Sequence, residues 1–313
     1  MAASGRAQPH IVLSEGDDPR VIEAAQKAAF GGLAEVTLVG SGPVKGVRVV
    51  DPATAPARQD YAAAYYALRQ HKGVSEEAAE KAVAHRLGFA AMMVRQGDAD
   101  GTVGGAVETT ASVVRSALQI IGRAPGVDTV SSCFLMLVED ETRPIIFSDC
   151  ALILQPTAAE LAAIAMASAR SLTALTGLDP KVAMLSFSTK GSVPDGAHES
   201  LGRIAEAVQI VRAATPELPI DGTMQFDAAF VPDIGARKAP GSDVAGAANV
   251  FVFPSLSAGN IGYKIAQRIG GATALGPVLQ GLAKPANDLS RGASTEDIFQ
   301  MIGITGAQAA AQA

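Results

Sequence analysis

Strand-like and helix-like segments alternate along most of the 313 residues, and this alternation limits the possible folds more than any other feature. Short apolar runs at residues 11–13 and 35–39 have the length and the β-branched content of buried strands. Between them, Asp18 followed by Pro19 has the residues preferred at a helix start, and Gly31 is typical of a helix end. Such alternation predicts an α/β protein with a mainly parallel sheet.

The same patterns predict the remaining elements and one interruption. Further strands are predicted over residues 99–103, 182–187 and 250–253, and further helices over residues 59–70, 75–96, 157–177, 198–214, 259–270, from 109 or 110 onward, and from 294 onward. Residues 129–148 break the alternation, because two apolar runs flank an acidic turn at 139–142, as in an antiparallel hairpin. We therefore predict two domains. Domain I comprises residues 1–128 and 274–313, and domain II comprises residues 129–273.

Composition excludes several classes of protein. Hydrophobic residues make up 48% of the chain and the net charge is −6, so a large core is expected and nucleic acid is not an expected partner. No uncharged apolar run reaches the roughly 18 residues that span a bilayer, and the N-terminus has no signal-like apolar run, so no membrane is expected. Cys133 and Cys150 lie in apolar stretches, which predicts buried free thiols and a cytoplasmic location. The four histidines show no ligand spacing, so no metal is expected.

One short segment near the C-terminus carries most of the chemistry. Ser290, Arg291, Gly292 and Asp297 lie within eight residues, at the start of the last predicted helix. A guanidinium, a glycine backbone and free helix N–H groups suit a phosphate or a carboxylate, and Asp297 can accept a proton. This indicates a site for a small phosphorylated acid. The alternative is that Ser294 and Asp297 only form a capping box and that Arg291 is a surface residue.

Two other arginines follow segments that suggest anion binding. Arg69 lies near the end of a predicted helix, and Arg115 follows a stretch rich in glycines and hydroxyls at residues 101–112. Glycines before a helix start can form a nest of N–H groups, which predicts that this loop holds phosphate. The alternatives are a helix-surface charge for Arg69 and a salt bridge for Arg115.

Taken in order, these motifs resemble the phosphate acetyltransferase (phosphotransacetylase) family, within the wider phosphate acetyl/butyryl transferases. The resemblance covers nearly the whole chain. The segments that carry it are residues 13–20, 66–73, 99–115, 182–191, 221–229, 238–240, 253–254, 259–264, 276–281 and 284–292.

The resemblance implies a reversible acetyl transfer between acetyl phosphate and coenzyme A, catalysed by a homodimer. It implies a two-domain, three-layer α/β/α architecture of the isocitrate/isopropylmalate dehydrogenase-like fold, with a cleft between the domains. The family's catalytic arginines match Arg69, Arg115 and Arg291, its catalytic serine matches Ser290, and its general base matches Asp297. We expect direct attack by the thiol in a ternary complex, without a covalent acyl-enzyme.

Coenzyme A is then expected as a substrate rather than as a tightly bound cofactor. The residues expected to bind it are Lys190, Tyr263, Lys264 and Gly292, which lie in family-like motifs. Two alternatives stay open, a phosphate butyryltransferase and a non-catalytic domain that senses acetyl-CoA. The second is disfavoured because the chain keeps all five candidate catalytic residues together.

The chain also departs from the family pattern at three positions. Glu108 stands where the family usually has histidine, Gly104 where it has serine, and Ala293 where some members have cysteine. A carboxylate at position 108 adds negative charge beside the loop that is expected to hold phosphate. We expect it to change substrate affinity or acyl preference.

Overall fold

The computed structural model describes residues 8–138, 143–193 and 198–312. The described chain divides into two compact units. The first holds the residues up to Val127 together with those from Leu282 onward, and the second lies within Asp128–Gly281. The predicted acidic turn at residues 139–142 lies outside the described residues.

The first unit is built on a parallel sheet. Its described strands are β1 (His10–Leu13), β2 (Glu35–Val39), β3 (Arg48–Val50), β4 (Gly101–Gly104) and β11 (Ala286–Asp288), in the spatial order β11-β4-β1-β2-β3. Every pairing in this sheet is parallel. All four residues of β1 are buried, as expected for a central strand that is covered on both faces.

Helices cover this sheet. Those described are α1 (Pro19–Phe30), α2 (Arg58–Arg69), α3 (Glu76–Ala84), α4 (Arg86–Gln96), α5 (Thr110–Ser116) and α11 (Thr295–Ala311). Helix α1 begins as predicted, because the Asp18 carboxylate accepts a hydrogen bond from the N–H of Arg20 and Pro19 takes the first position. It buries Val21, Ala24 and Ala28 on one face, and it contacts β2 and α11.

The single helix predicted over residues 75–96 is wrong, because the chain breaks at His85. That residue is extended, with φ −75° and ψ 136°, and it separates α3 from α4. The two helices have different surroundings: α3 buries only Ala79 and Val83, whereas α4 is buried from Leu87 to Val94. One straight helix cannot be mostly exposed along its first half and buried along its second half. Neither glycine nor proline marks the break in the sequence.

The second unit contains a mixed sheet. Its described strands are β5 (Ser131–Leu137), β6 (Ile145–Ser148), β7 (Val182–Leu185), β8 (Ile220–Met224), β9 (Val250–Val252) and β10 (Thr273–Gln280), in the order β10-β5-β6-β9-β7-β8. Strands β5 and β6 pair antiparallel, which confirms the predicted hairpin pairing. Strand β10 also pairs antiparallel with β5, whereas the pairs β6–β9, β9–β7 and β7–β8 are parallel.

The helices of this unit include one long apolar helix. Those described are α6 (Ala158–Thr176), α7 (Glu199–Ala214), α8 (Phe226–Phe230), α9 (Pro232–Lys238) and α10 (Leu256–Arg268). Thr157 and Glu160 form the predicted capping box at the start of α6, and Gly177 ends it in the left-handed conformation. By length and mean hydropathy alone α6 could span a membrane. Here it contacts α7 and the strands of its own unit.

Candidate active site

The turn between β11 and α11 fixes the candidate catalytic serine. The Gly292 N–H donates to Ser290 Oγ over 3.2 Å, and the Ala293 N–H donates to the Ser290 carbonyl over 2.9 Å. Ser290, Arg291 and Gly292 are all exposed. The serine oxygen is thus oriented by the backbone, while its own O–H stays available to a ligand.

Asp297 takes part in a capping box and still presents a free oxygen. Its Oδ2 accepts hydrogen bonds from the N–H and the hydroxyl of Ser294, both over 2.8 Å. In return, the Asp297 N–H donates to Ser294 Oγ over 3.2 Å. The other oxygen, Oδ1, accepts no hydrogen bond from the residues that the structure describes. The capping box is therefore present, and the free Oδ1 is compatible with a catalytic role that stays a prediction.

Arg20, to which the sequence analysis gave no role, joins this turn to the glycine-rich loop. Its guanidinium donates to the Arg291 carbonyl over 2.9 Å, to the Ala293 carbonyl over 2.8 Å and to the Ala106 carbonyl over 2.9 Å. The guanidinium also donates to both carboxylate oxygens of Asp18, over 3.1 and 2.8 Å. The hydrogen bonds that Arg20 donates to Asp18 raise the pKa of Arg20.

The glycine-rich loop is an anion nest, but its anion is internal. Oε2 of the buried Glu15 accepts from the N–H groups of Gly105 and Ala106 over 3.0 and 2.7 Å. Its Oε1 accepts from those of Val107 and Glu108 over 2.9 and 2.7 Å. The expectation that these N–H groups hold phosphate is therefore wrong, because a carboxylate of the protein already satisfies all four.

A buried aspartate links the helix that carries Arg115 to the strand that leads to Ser290. The Thr110 hydroxyl donates to Asp288 Oδ2 over 2.6 Å, which ties the start of α5 to the end of β11. Asp288 is only 1% exposed, and its Oδ1 has no hydrogen-bond partner in the part of the chain that the structure describes. A β-carbon added to Gly105 would collide with that oxygen. Burial raises the pKa of Asp288 to about 6.

The raised pKa predicts a pH-dependent stability that Asp288→Asn removes. The ordinary pKa is 3.8, so between about pH 4 and pH 6 the folded state binds more protons than the unfolded state. The free energy of unfolding therefore falls as the pH rises through that window, by roughly 3 kcal/mol for this group. Urea unfolding of both proteins at pH 4 and pH 7 measures the effect. From pH 4 to pH 7, we expect the free energy of unfolding of Asp288→Asn to rise by that amount relative to that of wild type, because the titrations of the other groups cancel in the comparison. A difference between the two proteins that is the same at both pH values would contradict the assignment.

The three candidate catalytic arginines lie in the first unit and contrast with Arg20. Arg69 ends α2, half-buried, with a buried Nε that has no partner. Arg115 lies in the last turn of α5, and Arg291 follows Ser290; both are exposed. Across the described chain none of the three guanidinium groups forms a hydrogen bond or an ion pair. Their convergence on one ligand stays a prediction.

Two departures from the family pattern have local physical reasons. A side chain at Gly104 would collide with the hydroxyl of Ser14, which is buried beside it. The Glu108 carboxylate lies 3.3 Å from Nε2 of His85, at the break between α3 and α4. The negative charge of Glu108 therefore lies beside the imidazole of His85 as well as beside the glycine-rich loop.

In the second unit, the Lys190 side chain forms an ion pair with the buried Asp221. Lys190 has a φ of +44°, rare for a residue with a side chain, and its ammonium pairs with Asp221. Burial alone would raise the pKa of Asp221, but hydrogen bonds from Lys190 and Ser242 help to lower it. The Arg212 guanidinium lies 3.6 Å from the same carboxylate.

Tyr263 and Lys264, the other candidates for coenzyme binding in this unit, contact each other. The Tyr263 ring stacks on Phe134 at a centroid distance of 4.1 Å. The Lys264 ammonium donates to the Tyr263 hydroxyl over 2.7 Å and lies 4.6 Å from the ring centroid. Lys264 is exposed, so its charge can reach a ligand.

Comparison with known proteins decides the family. A family model described as Phosphate acetyl/butaryl transferase matches residues 1–306. The chain belongs to this family. A Phosphate acetyltransferase of Paracoccus denitrificans is 53% identical over 303 residues, which cover 96% of this chain and 94% of that protein. The crystal structure of a phosphotransacetylase from Streptococcus pyogenes matches with a TM-score of 0.89 and 44% identity, over 96% of this chain and 94% of that one.

Membership of the phosphate acetyl/butaryl transferase family confirms the resemblance that the motifs predicted. A branched-chain phosphotransacylase from Enterococcus faecalis V583, at 18% identity and a TM-score of 0.71, covers 96% of this chain and 99% of its own and shows the same fold. The predicted fold class, α/β sheets with flanking helices in a dehydrogenase-like fold, is confirmed as well. The sequence analysis missed the roles of Glu15 and Arg20, although both lie in the matching segment 13–20.

Proposed function

We propose that this chain catalyses reversible transfer of an acetyl group between acetyl phosphate and coenzyme A. Family membership and the names of its relatives support the reaction. The observation that carries the proposal is the set of three guanidiniums, of Arg69, Arg115 and Arg291, which have no partner among the described residues. The three lie in the first unit, and the half-buried Arg69 keeps a buried Nε without a partner among the described residues although the chain has 31 acidic residues, which favours a site prepared for an external anion.

Asp297 acts in this proposal as the general base. Its free Oδ1 takes the proton of the coenzyme A thiol while the sulfur attacks the acetyl carbon. The bond from that carbon to the phosphate oxygen breaks, and acetyl-CoA and phosphate leave. An ordinary thiol and an ordinary aspartic acid differ by about 4 to 5 pKa units, so the carboxylate accepts the proton as the new bond forms instead of holding a pool of thiolate.

The other groups stabilise the charge that develops. Ser290, whose oxygen is oriented by the Gly292 N–H, donates its O–H to the acetyl oxygen or to the sulfur. The three arginines bind the phosphoryl group and stay charged throughout. A well-placed donor of this kind contributes about 3–4 kcal/mol to the transition state.

The products test the reaction, and isotope exchange tests its route. Purified protein with acetyl phosphate and coenzyme A is expected to form thioester and phosphate in a one-to-one ratio. With acetyl phosphate and radioactive phosphate alone, no label is expected to enter acetyl phosphate until coenzyme A is added. Absence of thioester overturns the proposed function, whereas exchange without coenzyme A overturns only direct transfer, because it requires a covalent acyl-enzyme.

The acyl preference belongs to the same site. The matching family includes both acetyl and butyryl transferases, and the relatives compared above at 53% and 44% identity are named for acetyl transfer or as phosphotransacetylases. We therefore infer that acetyl-CoA is used faster than propionyl-CoA or butyryl-CoA. Rates with the three thioesters decide between the acetyl and butyryl alternatives.

We also infer that coenzyme A binds as a substrate through Lys190, Tyr263, Lys264 and Gly292. The exposed ammonium of Lys264 supports a contact with a phosphate, and the Tyr263 ring beside it offers an apolar surface. Lys190 would have to share its charge with Asp221. The assignment predicts a higher KM for coenzyme A in Lys264→Ala, with little change in the KM for acetyl phosphate.

A homodimer is the assembly that we propose, and one helix face supports it. Ile261, Ile265 and Ile269 follow one another at intervals of four along α10 and its end, and they are 58%, 53% and 84% exposed. An apolar stripe of this kind is typical of an interface between subunits.

Placing a charge on that stripe tests the dimer. Ile265→Lys is expected to yield monomers in sedimentation, because burying an unpaired ammonium costs several kcal/mol. Ile265→Val, which keeps the surface apolar, is the matched control and should stay dimeric. A dimer that survives Ile265→Lys would place the interface elsewhere.

We place the enzyme in the cytoplasm. The two cysteines, Cys133 and Cys150, are buried free thiols, as predicted. Burial raises the pKa of both, that of Cys133 to about 12, so neither serves as a ready nucleophile. Free thiols are typical of a reducing compartment.

A further inference from the structure

Arg20 has no donor left for a substrate. A guanidinium carries five N–H groups and no acceptor. The hydrogen bonds of Arg20 number five: two to Asp18 and one each to the carbonyls of Ala106, Arg291 and Ala293. An arginine whose donors are all used inside the protein cannot bind phosphate without breaking those bonds. Its role in the reaction must be indirect.

The carboxylate oxygens of Glu15 are occupied as acceptors, just as the N–H groups of Arg20 are occupied as donors. Its two oxygens accept from four consecutive backbone N–H groups, at distances from 2.7 to 3.0 Å. The side chain is 6% exposed and therefore does not reach solvent as a free acid. Glu15 lies just after β1 and Arg20 lies in the first turn of α1, and both contact the loop that leads into α5, the helix that carries Arg115.

We propose that Arg20 and Glu15 are positioning residues, which hold the turn at residues 290–293 and the loop at residues 105–108 in the arrangement that acyl transfer requires. The inference rests on the proposed function. Arg20 bridges the turn that carries Ser290 and Arg291 and the loop that leads to Arg115, whereas Glu15 binds that loop alone. The two side chains are here named the clamp. They act on the backbone and leave the catalytic side chains free.

The physical reason is the sensitivity of the reaction to small displacements. A misplacement of about 1 Å costs roughly a hundredfold in rate when a reacting group must be oriented. Arg20 contacts the main chain of Arg291 itself, so losing that contact moves both Ser290 and the Arg291 guanidinium. A lysine keeps the charge beside Asp18, but its single nitrogen cannot span three carbonyls and a carboxylate.

Arg20→Lys separates positioning from folding. We expect kcat to fall about 10- to 100-fold per folded molecule, whereas the KM values for coenzyme A and acetyl phosphate change less than about threefold. Methylguanidinium added to Arg20→Ala should restore part of the lost kcat, because it can occupy the vacated site. Arg203→Lys is the matched control, since the Arg203 guanidinium also donates to a carbonyl, that of Pro156 over 3.3 Å, in the second unit. Its kcat should match wild type.

The outcomes distinguish the clamp from the reaction itself. If wild type forms no thioester, the proposed function fails first. If wild type is active and Arg20→Lys keeps its kcat within about threefold, or loses only thermal stability, the clamp is overturned. Should Arg20→Lys not fold, Glu15→Gln decides by the same criterion, because its amide N–H₂ would face backbone N–H groups that now meet a carboxylate.

Discussion

Asp297→Asn is expected to lower kcat by about a hundredfold or more, with the KM for acetyl phosphate nearly unchanged. The asparagine oxygen can still accept from the N–H and the hydroxyl of Ser294, so the start of α11 is kept. What the variant loses is the second carboxylate oxygen and its ability to take a proton. Steady-state kinetics with both substrates varied gives the two constants.

The neighbouring residue provides the control for this variant. Glu296 lies in the same helical turn, is exposed and pairs with Lys27. Glu296→Gln changes the charge by the same amount in nearly the same place, and we expect its kcat to match wild type. A near-normal kcat in Asp297→Asn, or an equal loss in Glu296→Gln, would remove Asp297 as the base.

Arg115→Lys is expected to lower kcat/KM by roughly 10- to 100-fold although the charge is kept. The guanidinium of Arg115 has no partner among the described residues, so the loss cannot come from a broken internal contact. It would come from the loss of two parallel hydrogen bonds to one phosphoryl group. Rates at limiting acetyl phosphate measure it.

A second arginine controls for the loss of a guanidinium in general. Among the described residues, Arg237 donates only within its own helix α9, from Nε to the Asp233 carbonyl over 3.1 Å. Arg237→Lys should leave kcat/KM within about twofold of wild type. If Arg115→Lys behaves in the same way, Arg115 does not bind the phosphoryl group.

The sequence predicted elements whose signals are local. The caps at Asp18, Thr157 and Ser294 were read correctly, because a capping side chain and its N–H lie within three residues of each other. The break at His85 was missed, because it depends on what surrounds α3 and α4 and not on their own residues. Strand β11, Ala286–Asp288, was missed because three residues carry too little periodicity.

In the candidate site, too, the features with local sequence signals were predicted and those that depend on distant partners were missed. The residue types at positions 290, 291 and 297 indicated acid–base and anion chemistry, and the turn and the free oxygen of Asp297 agree with it. The role of the loop at 105–108 was misjudged, because an empty nest and one filled by Glu15 have the same sequence. The tasks of Glu15 and Arg20 depend on partners about 90 and 270 residues away, which no local pattern shows.

A crystal structure of the protein with coenzyme A and phosphate tests the central claim most directly. We predict one phosphate within hydrogen-bond distance of the guanidiniums of Arg69, Arg115 and Arg291, with the coenzyme thiol beside the free oxygen of Asp297. Phosphate bound away from these three side chains, or a thiol that lies out of reach of Asp297, would contradict the account.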